Sequence, residues 1–252
     1  MFPLKVRPLV AAHRGCSDTF PENTLAAFRR AIEVGIDMIE LDIQCSSDGK
    51  VIVFHDHRIN RTTNGRGKVS TFTLRELQNF DVGSWFHPQF ANEIIPTLRD
   101  VLKICQGQIQ LIIEVKSYGN DAKYNFIVEK SIKLVKEFGM ENDVLFTSFD
   151  HNLLREFFDY DCLLHRGVNF DTHRHSRKSP SSLCKMSCAD TFVCDIKTLK
   201  KNLVTDVRAN KLLLGTYNIV SETDFEKAMK CDVDFIITDI PEQVTRWLGR
   251  GK

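Results

Sequence analysis

No stretch of this sequence approaches the roughly 20 consecutive apolar residues that a membrane-spanning helix needs, so no stable membrane insertion is expected. The opening MFPLKVRPLV lacks the apolar segment of a secretory leader, because Lys5, Arg7 and two prolines interrupt it. Neither sign of charge dominates. The 34 Lys plus Arg against 33 Asp plus Glu leave a formal +1, which supplies no field for nucleic acid, an acidic membrane surface or a polyanion. The eight cysteines include no CxxC pair and form no compact framework. Without an export signal, that scatter favours reduced thiols and a cytoplasmic location. Internal repeats, low-complexity tracts and interdomain linkers are also missing. What remains is ordinary for a soluble globular chain, 42% hydrophobic and 27% charged. Its 252 residues suit one large domain, a size that α/β barrels routinely reach.

Short β-branched runs alternate with helical patterns along the chain. The runs are LVAA, MIELDIQC, VIVFHD, IQLIIEV, DVLFTSF, CLLHRGVNF, TFVCDI, KLLLGTY and DFIITDI. Most are apolar throughout, as strands buried on both faces of a parallel sheet should be. Between them lie amphipathic segments such as TLAAFRRAIEVG, YNFIVEKSIKLVKEFG and SETDFEKAMKCD. Asn23 or Thr24 and Ser221 are candidate N-caps, and Gly35 and Gly139 are helix stops. Eight or nine such units favour a closed (β/α)8 barrel over an open doubly wound sheet. From His57 to about Ile95 the rhythm breaks into a polar, Gly-containing stretch with a capping box at Thr73–Glu76. A connection this long reads as a lid or small insertion, and Phe80, Trp85, Phe86 and Phe90 in it need something to pack on.

Side chains two apart on a strand point the same way, so Glu40 and Asp42 of MIELDIQC share a face. Two carboxylates in a barrel interior repel and are costly to desolvate unless a cation joins them. From this segment alone a metal stands level with a solvent-facing or Arg/Lys-neutralised pair. The spacing recurs: Glu114 and Lys116 share a face in LIIEVKS, His55 follows Val53, and His13 shares a face with Ala11. A lone histidine at a strand end is usually packing, but four segments with titratable groups at their carboxyl ends match a barrel's catalytic rim. Oxygen donors from Glu40, Asp42 and Glu114 suit a hard cation, Mg2+ or Ca2+. Flanked by Arg14 and Lys116, such a cation makes a site for a phosphate ester, and two histidines would supply a general base and a general acid. The residues therefore read as a metal-dependent phosphoester hydrolase.

Other polar groups read more plainly. His173, His175, Cys184, Cys188 and Cys194 lack zinc-site spacing, and Cys184 and Cys188 sit four apart as thiols on one helix face would. Arg58, Arg61, Arg66 and Lys68 read as a solvated face of the insertion, with an anionic headgroup as the other reading. Asp239 either braces the site or caps the next helix.

The segments HRG, PENT, ELDIQCSSDGKVIVFHD and FDVGSWFHPQFANEIIPTL resemble the signatures of the glycerophosphodiester phosphodiesterase family. The resemblance is strong from Val10 to Ser117 and continues more thinly through FTSFD and DFIITDIPE. It implies a TIM (β/α)8 barrel with a small insertion, residues 57–95, after the second barrel strand. It also implies a catalytic pair at His13 and His55, and one divalent cation, Mg2+ or Ca2+, on Glu40, Asp42 and Glu114. Phosphate binding falls to Arg14 and Lys116, with Glu22 beside the metal and phosphate and orienting Arg14. The implied reaction is hydrolysis of a small-molecule glycerophosphodiester to sn-glycerol 3-phosphate and an alcohol. A lysophospholipase D with the same machinery is the nearest rival, and a phosphodiester-binding barrel without turnover is a rival of another class. One departure concerns the seventh barrel strand, where Thr216, Tyr217 and Asn218 replace the family's Trp-Thr-Val-Asn-like segment; Tyr217 reads equally as a substrate wall or as barrel packing. Whether the barrel forms a homodimer is left open.

Overall fold

The computed structural model describes residues 2–4, 7–118, 126–175 and 178–250. Nine strands form in chain order: β1 (Leu9–His13), β2 (Met38–Cys45), β3 (Val51–Val53), β4 (Gln110–Val115), β5 (Val144–Ser148), β6 (His165–Phe170), β7 (Thr191–Asp195), β8 (Leu213–Tyr217) and β9 (Phe235–Thr238). Eight of them are parallel and run β1-β9-β8-β7-β6-β5-β4-β2, and pairing of β1 with β2 closes the barrel. The third run departs from the expected parallel pattern. The β3 strand pairs antiparallel with β2, Ile43 opposite Val53, because only five residues separate the two and a parallel crossover needs a dozen or more. His55 accordingly lies two residues beyond a short hairpin strand rather than on a barrel strand.

The helices are α1 (Leu25–Glu33), α2 (Leu74–Leu77), α3 (Leu98–Cys105), α4 (Ile127–Glu137), α5 (His151–Tyr160), α6 (Thr172–His175), α7 (Pro180–Met186), α8 (Lys201–Ala209), α9 (Glu222–Lys230) and α10 (Pro241–Trp247). Thr24, not Asn23, caps α1 by accepting from the Ala27 amide, and Ser221 caps α9 in the same way. Gly35 and Gly139 follow their helices with φ of +72° and +62°, conformations that glycine enters without strain. Residues 124–125 of the pattern read as the start of α4, and 176–177 of the polar stretch after β6, lie outside the described residues. Cys188 lies beyond the end of α7, so it does not share a helix face with Cys184.

Two apolar layers follow from strand alternation. Leu9, Ala11, Met38, Ile112, Leu145, Val193, Leu213 and Phe235 fill the barrel, and Phe2 joins them. The Phe2 ring meets His165 edge-on at 5.3 Å, and Gln110 bonds the Pro3 carbonyl. Both partners start their strands, so the N-terminal segment closes that end and leaves the carboxyl end for the site. The alternate residues pack outward on the helices. The stretch from His57 to Ile95 holds a third cluster, in which Ile59, Val69, Leu77, Val82 and Ile95 pack with Ile52 of β3. Thr73 and Glu76 make the expected capping box at α2. Phe80 packs on Phe72 at 5.4 Å, while Phe90 and Phe86 form a ladder on Phe20. Trp85 ends that ladder 42% exposed. Among the described residues no helix is long and apolar enough to cross a membrane.

Candidate active site

Register alone brings the predicted groups together. His13 of β1 is level with Glu40 of β2, and Asp42 is level with Glu114 of β4. Because β2 lies between β1 and β4, these four side chains converge at the carboxyl end of the barrel. Glu40, Asp42 and Glu114 each offer an oxygen within 4.8 Å of the others, the one such His/Cys/Asp/Glu group found among the described residues.

Two cations face this trio. Lys116 donates to Asp42 at 2.8 Å and to Glu114 at 2.6 Å. Arg14 places Nε 3.4 Å from Asp42, donates through Nη1 to Glu22 at 2.8 Å, and gives its backbone amide to Glu40 at 3.1 Å. Burial opposes the charge on both cations, yet the surrounding carboxylates more than offset it and raise both pKa values. Asp42 is held far below the usual carboxylate range: burial raises it, but Lys116, Arg14 and His55 prevail. Glu40 goes the other way, pushed well up by burial and then by Asp42 and Glu114. Two cations against three buried carboxylates leave Glu40 short of positive charge, and hard oxygen donors at this spacing fit a divalent cation.

The loop after β1 bends tightly to make these contacts. Arg14 and Asn23 adopt left-handed φ of +58° and +57°, and the Asn23 amide closes the loop on the Arg14 carbonyl at 2.9 Å. Asn23 also donates to Asp42 at 2.8 Å, which explains why Thr24 is left to cap α1. Gly15 has φ +86°, and a Cβ there would lie 2.6 Å from the Cβ of Ala27. Gly15→Ala should therefore destabilise the fold by about 1–3 kcal/mol and lower activity with it. Thermal unfolding measures the first effect, and an unchanged Tm would contradict this close approach.

Each histidine is held by a carboxylate at Nδ1. His13 meets Asp239 at 2.5 Å and His55 meets Asp56 at 2.6 Å. An ionised carboxylate only accepts, so Nδ1–H is the donor in each pair. The Nε2 of His13 lies 3.9 Å from Glu40. Asn218 donates to Asp239 and accepts from its backbone amide at 3.1 Å. Asp239 thus braces His13; α10 is capped at Ile240 without any side-chain bond. Gln44 pins the segment carrying His55 by donating to the Phe54 and Asp56 carbonyls at 2.8 and 3.0 Å, and the Tyr118 hydroxyl donates to the His55 carbonyl.

All eight predicted site residues are brought together, but the network is larger. Arg61, read from sequence as part of a solvated face, donates to both Glu22 and Asp56. Asp56, Asn23, Asn218 and Tyr118 also belong to it. The sequence marked Asn23 only as a helix cap and Asn218 only as part of the seventh barrel strand; Asp56 stands beside His55 in the FHD motif, and Tyr118 carries no signal. Tyr217 belongs to the barrel packing, its ring 6.4 Å from Phe149 and its hydroxyl 3.4 Å from the Phe170 carbonyl. Cys16 and Cys45 are buried, and burial pushes their thiols up to about 12 and about 11, against any role as nucleophiles. A groove of about 690 Å3 leads outward from His55, Glu114 and Lys116 past His151, Arg155 and Lys178.

Comparison with known proteins identifies the family. The model of the glycerophosphoryl diester phosphodiesterase family matches residues 13–243. A protein of Caldanaerobacter subterraneus subsp. tengcongensis named glycerophosphodiester phosphodiesterase is 36% identical over 98% of this chain and 100% of its own length. One of the same name from Bacillus altitudinis is 30% identical over 94% and 96%. A solved phosphodiesterase of Oleispira antarctica, in complex with the product sn-glycerol-3-phosphate, superposes with a TM-score of 0.88 at 26% identity, covering 96% of this chain and 97% of that one. With its family model spanning nearly the whole barrel, the chain belongs to the glycerophosphoryl diester phosphodiesterase family.

Proposed function

We propose that this chain hydrolyses glycerophosphodiesters to sn-glycerol 3-phosphate and an alcohol, with His13 and His55 as the acid–base pair. The observation that carries the reading is a carboxylate trio within 4.8 Å, flanked by Arg14 and Lys116, at the end of a barrel where two imidazoles are each fixed by an Asp. Membership of a family whose relatives bear this activity in their names supports it.

A divalent cation, Mg2+ or Ca2+, held by Glu40, Asp42 and Glu114 would supply Lewis-acid stabilisation of the phosphate's developing charge. Arg14 and Lys116 bind the anionic phosphate and hold their charge throughout, because the adjacent carboxylates raise both pKa values. Glu22 fixes the direction of the Arg14 guanidinium. One imidazole accepts the proton of the attacking water, or of the glycerol 2-hydroxyl, at Nε2 and the other delivers a proton from Nε2 to the leaving alkoxide. Where the 2-hydroxyl attacks, water then opens the cyclic phosphate to sn-glycerol 3-phosphate with the two roles exchanged. Asp239 and Asp56 hold the two rings in the orientation this requires.

The lysophospholipase D reading calls for an apolar channel beside the insertion, where Trp85, Phe86 and Phe90 form an aromatic ladder. The groove that reaches Lys116 carries Arg155, Arg174 and Lys178 beside Phe149 and Met186, and its cations favour an anionic or polar headgroup there. Release of sn-glycerol 3-phosphate is the test. Turnover of glycerophosphocholine and other deacylated diesters supports the proposal. Turnover confined to lysophospholipids would transfer it to the lipid rival, and tight binding with no turnover of either would make the barrel a binding protein.

A further inference from the structure

The insertion sends the Arg61 side chain to the edge of the site. Arg61 lies at the centre of a chain of charge-assisted hydrogen bonds that joins His55, beyond β3, to Arg14, beyond β1. Its Nε and Nη2 donate to the two oxygens of Asp56 at 2.8 and 3.0 Å. Its Nη1 and Nη2 donate to the two oxygens of Glu22 at 2.6 and 2.8 Å. Each carboxylate is already engaged: Asp56 Oδ1 with His55 Nδ1, and Glu22 Oε1 with Arg14 Nη1. The connected order is His55–Asp56–Arg61–Glu22–Arg14.

We infer that Arg61 is a positioning residue that sets His55 through Asp56 and Arg14 through Glu22, and that presenting it is a function of the insertion. The inference rests on the proposed roles of His55 and Arg14. Three physical arguments support it. Two carboxylates facing one another repel, and only a guanidinium has a planar fork with enough donors to satisfy both bidentately. Both acids stay ionised: burial raises each, but hydrogen bonds from His55 and Arg61 at Asp56, and the contacts of Arg61 and Arg14 at Glu22, lower them overall. Arg61 reaches from a side chain 45% exposed to carboxylates only 13% and 25% exposed, so its four bonds fix two acids that face the site and not merely a surface pair. The backbone on either side is fixed from the insertion's own core, because Ile59 and Thr62 are buried and Thr63 bonds the Ile59 carbonyl at 2.7 Å.

The experiment compares Arg61→Gln and Arg61→Lys in the metal-loaded full chain, with Glu22→Gln and Asp56→Asn as partners. Arg61→Gln should lower kcat/KM about 10–100-fold, since a misplaced catalytic group costs on that order, while Tm changes little. Arg61→Lys should recover only part of this, because one ammonium cannot grip both acids. Loss of the His55 arm should appear in kcat and loss of the Arg14 arm in KM. In the Asp56→Asn background Arg61→Gln should lower kcat no further, and in the Glu22→Gln background it should raise KM no further. Kinetics of Arg61→Gln within twofold of the parent would overturn the inference, as would full additivity in both backgrounds. A fall in Tm with unchanged kcat per folded molecule would reduce Arg61 to a structural residue. His55→Ala serves as the control: if it retains normal turnover, the acid–base reading fails, independently of Arg61.

Discussion

Alanine in place of His13 or His55 should lower turnover by about 10²–10⁴-fold, the usual worth of a positioned general acid or base. The expectation has three parts. The loss should fall on kcat rather than KM, since Arg14 and Lys116 contact the trio without help from either ring. The variants should fold, because the two side chains are 21% and 30% exposed at the barrel mouth and neither belongs to an apolar cluster. The double variant should be little worse than the more damaging single one, as is usual for residues that act in one step. Steady-state kinetics beside a thermal melt reads all three. Near-normal turnover in either folded variant would remove that histidine from the mechanism.

Removal of divalent metal should abolish the activity altogether, and Mg2+ or Ca2+ should restore it. Binding can also be read without catalysis. A cation that binds only the native state stabilises it by about 2.7 kcal/mol at 100 times its Kd, so either ion should raise the Tm of chelator-treated protein. Glu40→Gln sharpens the test. Glu40 is pushed up by burial beside Asp42 and Glu114, so a neutral amide relieves repulsion in the metal-free state. The variant should be at least as stable as the parent without metal, yet lose most of the metal-induced rise in Tm. Full activity in chelator-treated protein, or an unchanged metal response in Glu40→Gln, would refute the assignment of this trio.

Much of the site was legible because its chemistry lies in local patterns. The i, i+2 spacing of Glu40 and Asp42 placed both on one face before any partner was known, and the histidines at run ends marked the rim. Apolar runs separated by amphipathic segments implied buried parallel strands with helical crossovers. The errors share one cause: a pattern along the chain does not say what lies across from it. VIVFHD looked like the other buried runs, but a turn of five residues permits only the antiparallel return beside β2. Asn23 and Thr24 were equal as caps until the fold brought Asp42, 19 residues on, within reach of Asn23.

Composition and periodicity by themselves determined the alternating α/β plan, the side-chain faces of each strand and the residue types available for phosphate and metal chemistry. Those follow from backbone geometry and residue chemistry, which are local. Only the tertiary structure decided that Asp239, 226 residues from His13, would brace it, and that Arg61, still partly exposed, would join Asp56 with Glu22. The orientation of a catalytic group depends on hydrogen bonds closed across the barrel. Closure brings together residues whose separation in sequence carries no record of their contact.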